Sequence, residues 1–164
     1  MGLVRLRKAE TRDLPEILAI YNEVVKTSPI TFDLEEQTVE GRKNWFSGFD
    51  EDHPFLVATK DGEVIGYSYL AAFRSKPAYA RSVESSIYAH KEYRGQGVAT
   101  LLMEELIRQA KESGHHVILA GIANDSAPSA RLHMKLGFQK VGCFKEVGRK
   151  FGEWQDVCFY QLVL

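Results

Sequence analysis

Apolar residues recur at helical spacing in three segments of the chain and, less regularly, in a fourth. These segments are residues 14–25, 98–113 and 127–136, and the stretch that contains Trp45, Phe46 and Phe49. Gly114 and Gly137 follow two of them, as is typical of helix C-termini. Asp13 and Glu16 have the spacing of a capping box, so we expect the first helix to begin there. Four helices are therefore predicted.

Segments with strand-like patterns lie between these helices. They are LVRLRKA, FLVATK, EVIGYSYLAAF, SVESSIYA, HVILAGIA and the tail pair FQKVGCFKEVGRKF and EWQDVCFYQLVL. Asp61-Gly62 is a strong signal for a hairpin turn, and the near-continuous apolar run HVILAGIA is typical of a strand covered on both faces. No linker or repeat interrupts this order. We therefore expect one α/β domain over residues 1–164, with a mixed sheet, hairpins at both ends and a central strand-helix-strand unit.

Composition and charge limit the possible partners. The 164 residues are 45% hydrophobic, enough for one globular core, and carry a formal net charge of −1. Because this charge gives no basic surface, we expect neither nucleic acid nor an anionic membrane as a partner. The apolar runs are too short to cross a bilayer, and MGLVRLRKAETRD is too charged for a signal peptide. We therefore expect a cytoplasmic protein.

The cysteines and histidines give no signal for a metal. Cys143 and Cys158 are the only cysteines, too few and too far apart in sequence for a disulfide framework or a zinc site. We expect them to be buried, reduced thiols. Ligand-like spacing is also missing among His53, His90, His115 and His116. No metal is expected.

The stretch EYRGQGVAT has the features of a phosphate-binding loop. It follows the predicted strand SVESSIYA and leads directly into the helix that begins near Val98. A helix N-terminus carries unpaired amides and partial positive charge, glycines let a phosphate approach the backbone, and Arg94 adds a donor. On Gly-x-Gly alone, an ordinary glycine loop with a solvated arginine is the alternative. The chain has no Gly-Lys-Ser/Thr triplet, and Thr100 and SGHHVIL do not fit a dinucleotide fingerprint.

The segment Arg94-Gly95-Gln96-Gly97-Val98-Ala99 resembles the Arg/Gln-x-x-Gly-x-Gly/Ala signature of the GNAT acetyltransferase superfamily. The similarity extends to RKAETRDLPEILAIYNEVV, DGEVIGYSYL and SARLHMKLGF, which stand in the expected order. More narrowly, VESSIYAHKEYRGQGVA, LHMKLGF and GRKFGEWQDVCFYQL resemble the phosphinothricin and methionine sulfoximine N-acetyltransferase branch. The resemblance implies a GNAT fold, a mixed and mostly antiparallel sheet with splayed central strands that hold acetyl-CoA. It also implies a homodimer.

The resemblance further implies a set of acetyl-CoA-binding residues. They are Ile87, Tyr88, Ala89, Arg94, Gly95, Gln96, Gly97, Val98, Ala99, Thr100, Asn124, Ser126 and Ser129. In the family, backbone groups of the first three pair with the pantetheine amides, and the glycine loop holds the pyrophosphate. Relatives usually carry asparagine three residues before the serine that corresponds to Ser129. This chain has Ser126 there, which could instead cap the helix, and Asn124 lies two residues earlier.

Two residues carry the expected chemistry. A protonated amine cannot attack a thioester, so a base must remove a proton, directly or through water. Glu84 corresponds to the catalytic glutamate of the branch, and burial among apolar neighbours would raise its pKa. The alternative is an outward-facing glutamate on an edge strand. His133 occupies the position of the family's thiolate acid, and its alternative is an ordinary residue on the helix surface.

The segment FRSKPAYARSVE indicates the acceptor. Arg74 matches an arginine that helps to hold the substrate carboxylate in the branch, whereas relatives place their next arginine one position before Arg81. Phe32 resembles an aromatic substrate wall, with a core phenylalanine as the alternative. KFGEWQD matches a branch signature at the pocket or the dimer interface. The expected acceptor residues are Phe32, Arg74, Ser75, Lys76, Arg81, Glu84, Ser85 and Ser86.

The expected function is therefore acetyl transfer from acetyl-CoA to the amino group of a small amino-acid-like compound of the phosphinothricin or methionine sulfoximine type. One alternative keeps the enzyme class but changes the acceptor to a polyamine, a peptide N-terminus or another amine. Arg74 argues against a polyamine, because a cationic substrate favours acidic walls. The other alternative is a non-catalytic acyl-CoA-binding sensor domain, against which Glu84 and His133 argue.

Overall fold

Seven strands form one mixed sheet in residues 2–164, the part of the chain that this computed structural model describes. The strands are β1 (Arg5–Lys8), β2 (Phe55–Lys60), β3 (Glu63–Ala72), β4 (Ser82–Ala89), β5 (Val117–Ala123), β6 (Gln139–Lys150) and β7 (Glu153–Val163). The α-helices are α1 (Leu14–Thr27), α2 (Val39–Ser47), α3 (Val98–Glu112) and α4 (Ala127–Lys135). The sheet order is β1-β2-β3-β4-β5-β7-β6, and β4 with β5 is the parallel pair. The predicted α/β class and mixed sheet are confirmed.

The helices cover the two faces of the sheet. Residues of α3 and α4 pack into the larger apolar core, while α1 and α2 pack over an aromatic cluster on the other face that includes Phe55 and Tyr67. The β2–β3 turn is the predicted Asp61-Gly62 hairpin, with both residues at positive φ. In residues 2–164, no helix combines the length and the apolar character that a membrane crossing would require.

The start of α1 differs from the prediction. Asp13 does not cap this helix, because its carboxylate accepts hydrogen bonds at 2.7 Å from the guanidinium of Arg7 and at 2.8 Å from the amide of Glu10. Glu16 instead accepts from the amide of Val64, at 2.8 Å. The predicted capping box is therefore wrong. Both carboxylates tie α1 to the sheet, since an arginine and a strand amide are available to them.

The cysteines also differ from the prediction. Cys143 and Cys158 lie directly opposite each other on β6 and β7 and form a disulfide. The expectation of reduced thiols is wrong, because a hairpin brings together residues that stand 15 positions apart in sequence. Cys158 is buried in the core, as expected.

The central strands separate. β4 pairs with β5 only from Ser82 to Glu84, opposite Val117 to Leu119, although both strands continue further. The apolar run HVILAGIA predicted a strand covered on both faces. Gly121 of β5 is exposed, so that prediction does not hold along the whole length of the strand. The separation opens a groove in the middle of the sheet.

Candidate active site

The groove is a cavity of about 680 Å³ between the separated halves of β4 and β5. Its walls are the β4 segment from Glu84 to Ala89, the β5 segment from Ala120 to Ala123, the start of α3, and one side of α4. The β4 backbone beyond Glu84 has no strand partner on the β5 side. Ile87, Tyr88 and Ala89 therefore lie beside the groove, on a strand edge that can accept an extended, amide-containing ligand.

One end of the groove is the N-terminus of α3. Gly95 and Gly97 have φ angles of 75° and 84°, in the left-handed region, and Gly97 is the N-cap residue. No side chain caps the helix, and a Cβ placed on either glycine would meet no atom within 4 Å. The first-turn amides of a 15-residue helix thus face an open approach. This arrangement is suited to a phosphate, whose charge the helix dipole attracts.

Arg94 stands beside this helix start with its guanidinium oriented by protein groups. Nη2 donates to the carboxylate of Glu23 at 2.8 Å, and Nε donates to the carbonyl of Ala89 at 3.3 Å. The remaining guanidinium N–H groups can bind a phosphate. Gln96 is exposed and its side-chain amide donates to the carbonyl of Glu92, at 2.8 Å. Its side chain is not part of the groove lining, unlike Val98, Ala99 and Thr100.

Glu84 lies at the point where β4 and β5 separate, and its side chain lines the groove. It is half-buried on a central strand, so the alternative of an outward-facing edge residue does not hold. Burial raises the pKa of this carboxyl, and the positive charge of Arg74 acts in the opposite direction. Glu84 is therefore placed to take a proton from a group in the groove.

His133 is buried on the inner side of α4, not exposed on the helix surface, and it lines the groove. Its Nδ1 lies 2.7 Å from the carbonyl oxygen of Ser129, and its ring packs edge-on against Phe138. Because a carbonyl can only accept, Nδ1 carries the proton, which leaves Nε2 as an acceptor in the neutral ring. Burial lowers the pKa of His133. This environment favours the neutral ring and gives little support to the predicted role of thiolate acid.

Ser126 and Asn124, the two candidates for the position where relatives carry asparagine, have different environments in the structure. Ser126 and Ser129 line the groove, and Ser126 makes no side-chain cap to α4. Asn124 is exposed, and its amide oxygen accepts from the amide of Asp156 at 2.9 Å while its nitrogen contacts Gln155. Asn124 therefore joins the end of β5 to β7 and does not belong to the groove lining.

The predicted acceptor residues are only partly brought together. Phe32, Ser85 and Ser86 line the groove with Glu84. Ser75 and Lys76 lie on an exposed segment outside it, as does Arg74, whose guanidinium stacks on Phe73 at 4.9 Å from the ring centroid.

Arg81 lies elsewhere. Its guanidinium donates to the carbonyl of Gly114 at 3.1 Å and approaches that of Ser113 at 3.4 Å, at the C-terminal end of α3. A cation is favourable there because the helix end exposes carbonyl oxygens. Its prediction as a substrate ligand is corrected to a helix-capping role.

Several groove residues were not predicted. Val157 and Phe159 of β7 line it, and their alternation with buried Cys158 and Tyr160 is visible in EWQDVCFYQLVL. Thr31 also lines it, and its hydroxyl lies 2.7 Å from that of Tyr21. No sequence pattern announces Thr31, because its contact depends on the packing of a loop. Within residues 2–164, no group of three or more histidine, cysteine or acidic side chains is arranged to hold a metal ion.

Comparison with known proteins shows the family of the chain. The acetyltransferase (GNAT) domain family matches residues 6–159. The chain belongs to the GNAT acetyltransferase family. This GNAT chain is 40% identical over 162 residues to phosphinothricin N-acetyltransferase of Streptomyces coelicolor, covering 96% of this chain and 95% of that protein. It is 37% identical over 161 residues to L-methionine sulfoximine/L-methionine sulfone acetyltransferase of Pseudomonas aeruginosa, covering 97% of this chain and 94% of that protein.

A solved structure agrees with these relatives. The GNAT superfamily phosphinothricin acetyltransferase of Sinorhizobium meliloti, in complex with acetyl-CoA, superimposes with a TM-score of 0.94 at 36% identity. The match covers 98% of this chain and 88% of that one. Since both the family and the relatives are N-acetyltransferases, this GNAT protein is an acetyl-CoA-dependent N-acetyltransferase.

Proposed function

We propose that the enzyme acetylates the α-amino group of a small amino-acid-like compound of the phosphinothricin or methionine sulfoximine type. The observation that carries this proposal is the half-buried Glu84, which lines the groove where β4 and β5 separate. The groove has an uncapped helix N-terminus at one end. The names of two relatives, which act on phosphinothricin and on methionine sulfoximine, support the acceptor class.

The residues of the groove fit acetyl-CoA, which supplies an activated acetyl group as a thioester. The amides at the start of α3, from Val98 to Thr100, would bind the pyrophosphate together with Arg94. The unpaired edge of β4, from Ile87 to Ala89, would bind the pantetheine amides through backbone groups. Ser126 and Ser129 would complete the wall on the side of α4.

Glu84 would act as the general base. An acceptor amine is mostly protonated near neutral pH, so its attack requires a proton acceptor, which Glu84 can be once ionised. Burial raises the pKa of this carboxyl and so makes it a better proton acceptor than an exposed glutamate. His133 would orient groups in the groove through Nε2 as an acceptor, since Nδ1 donates to Ser129.

Arg74, which lies on the exposed segment outside the groove lining, would bind the acceptor carboxylate. Its positive charge lowers the pKa of the Glu84 carboxyl, which supports assigning both side chains to one zwitterionic acceptor. A guanidinium binds a carboxylate through two parallel hydrogen bonds, which orients the α-carbon as well as holding the charge. Ser85, Ser86 and Phe32 would form the surrounding wall.

We also propose a homodimer in the cytoplasm. The β6–β7 hairpin exposes large apolar side chains, which support a self-association surface. They are Val141, Phe144, Val147, Phe151 and Trp154. The location is proposed because donor and acceptor are both small, charged, water-soluble molecules. Analytical ultracentrifugation at micromolar protein concentration should give twice the mass of one chain. A mass equal to that of one chain would contradict the dimer.

A thiol-release assay with acetyl-CoA tests the function. The acceptor panel contains L-methionine sulfoximine, phosphinothricin, spermidine, a short peptide and the amines that correspond to the two amino acids without their carboxylates. We expect the highest kcat/KM for the two amino acids. Equal or better turnover of spermidine or the peptide would overturn the acceptor class. No turnover of any amine, with acetyl-CoA still bound, would favour the sensor alternative.

A further inference from the structure

The β6–β7 hairpin contacts the loop between α1 and α2, residues 28–38, beside Phe32 of the groove. At Gly148 of β6, an added Cβ would lie 2.5 Å from Cε2 of the Phe32 ring, and 2.8 and 2.9 Å from Cζ and Cδ2. The backbone of Gly148 is not in the left-handed region, so its conformation would permit other residues. The ring of Phe32 therefore packs directly against the backbone of Gly148, and any larger residue at this position would displace the ring.

Lys150, on the same strand, anchors the same loop. Its ammonium group is buried and donates to the carbonyl oxygens of Ser28 at 2.9 Å and Thr31 at 2.8 Å. A buried cation is costly unless it is hydrogen-bonded, so these two bonds fix the lysine and the loop together. Thr31 immediately precedes Phe32, and its hydroxyl is also held by Tyr21, at 2.7 Å. The backbone that carries the Phe32 ring is thus tied to two other elements.

These contacts matter for the groove because Phe32 would otherwise be free. Its side chain is 39% exposed and lines the same cavity as Glu84. A ring in a mobile loop would have to be ordered at each binding event, whereas a pre-positioned ring avoids that entropy cost. The hairpin therefore acts on the part of the groove that Phe32 lines.

We propose that Gly148 and Lys150 support acceptor binding by holding Phe32 as a fixed wall of the groove. This inference rests on the proposed function, which it extends to residues that do not themselves touch the acceptor. Both are positioning residues: Gly148 supplies the surface against which the ring lies, and Lys150 supplies the anchor of the loop.

Gly148→Ala tests the first part, with Gly142→Ala as a matched control. Gly142 lies on the same strand, and a Cβ there would meet no atom within 4 Å. The added methyl group at 148 displaces an exposed ring, so the variant should fold. We expect kcat/KM for L-methionine sulfoximine to fall at least about fivefold, while KM for acetyl-CoA stays within about twofold and Gly142→Ala matches wild type. A smaller fall, or an equal change for both substrates, would overturn the proposal.

A double-mutant cycle shows whether Phe32 transmits the effect. If the methyl group acts only by displacing the ring, Phe32→Ala and Phe32→Ala/Gly148→Ala should have the same kcat/KM for the acceptor. Losses that multiply would mean that Gly148 acts by another route. Lys150→Met keeps the side-chain stem and removes the two hydrogen bonds, and should reproduce the selective loss on the acceptor. Should Lys150→Met not fold, the Gly148 and Phe32 variants still decide.

Different results would overturn the proposed function and the positioning role of Gly148. Wild-type enzyme that acetylates none of the amino acids would overturn the proposed function. Wild-type enzyme that acetylates them, together with a Gly148→Ala variant that keeps wild-type acceptor kinetics, would overturn the positioning role alone.

Discussion

The replacement Glu84→Gln tests the proposed chemistry most sharply. Glutamine has the shape and hydrogen-bonding reach of glutamate but cannot accept a proton at working pH. Glu84 is half-buried and lines the groove where β4 and β5 separate. Its replacement by glutamine should therefore leave the backbone and the start of α3 unchanged. Acetyl-CoA should therefore bind as before.

The expected loss lies in the turnover number. A positioned general base contributes roughly 10²–10⁴ in rate, which corresponds to about 2.7–5.4 kcal/mol of activation free energy. The free energy of unfolding, unlike the turnover number, should not fall in this variant. Because burial raises the pKa of Glu84 in the folded state, ionised Glu84 disfavours folding. That penalty is absent below the unfolded pKa and appears as the pH rises, so the glutamine variant should be at least as stable as wild type at neutral pH.

The pH profile gives an independent readout. Wild-type activity should fall as the pH falls through the raised pKa of Glu84, so the acid limb should lie above the ordinary glutamate value of 4.5. In Glu84→Gln this limb should vanish, and the residual rate should rise with pH because a growing fraction of the amine is already deprotonated. Calorimetry measures the affinity for acetyl-CoA, and steady-state kinetics from pH 5 to 9 measure the rate and its pH dependence. A variant that binds acetyl-CoA normally and keeps the wild-type rate and profile would refute the assignment.

Three other changes test the rest of the site. Gly97→Val should weaken acetyl-CoA binding by at least roughly tenfold, about 1.4 kcal/mol, because valine is strained at positive φ and crowds the phosphate approach; unchanged calorimetric affinity would contradict this. Arg74→Ala should raise KM for amino acids far more than for the amines without a carboxylate, and equal effects would indicate a structural role. Reducing Cys143–Cys158 should lower the free energy of unfolding by up to about 3 kcal/mol, measured by urea denaturation with and without reductant.

The elements of the fold were predictable because their signals are local. Helical spacing predicted a helix that begins near Val98, and α3 begins at that residue. Asp61-Gly62 predicted the β2–β3 turn. Glu84 was identifiable because it matches the catalytic glutamate of the branch that the sequence resembles, whereas its strand alone favoured an outward-facing glutamate. Its position where the strands separate required the structure, because the end of the β4–β5 pairing depends on both strands.

Contacts between distant segments were not predictable. The opposition of Cys143 and Cys158 depends on the register of a long hairpin, which bulges shift in two places. Arg81 was proposed as a substrate ligand because relatives carry an arginine one position earlier, but it contacts the carbonyl groups of Ser113 and Gly114 after α3, which lie 32 and 33 residues away. Lys150 binds Ser28 and Thr31 across more than a hundred residues, so KFGEWQD alone could not show its role.

The fate of the acetyl group itself tests the proposed reaction. The enzyme is incubated with acetyl-CoA carrying a ¹³C-labelled acetyl group and with L-methionine sulfoximine, and the products are examined by NMR and mass spectrometry. We expect the label to appear as an amide on the α-nitrogen of the amino acid, with one CoA thiol released for each acetyl group transferred. Release of CoA without a labelled amide, or a label on any atom other than the α-nitrogen, would contradict it.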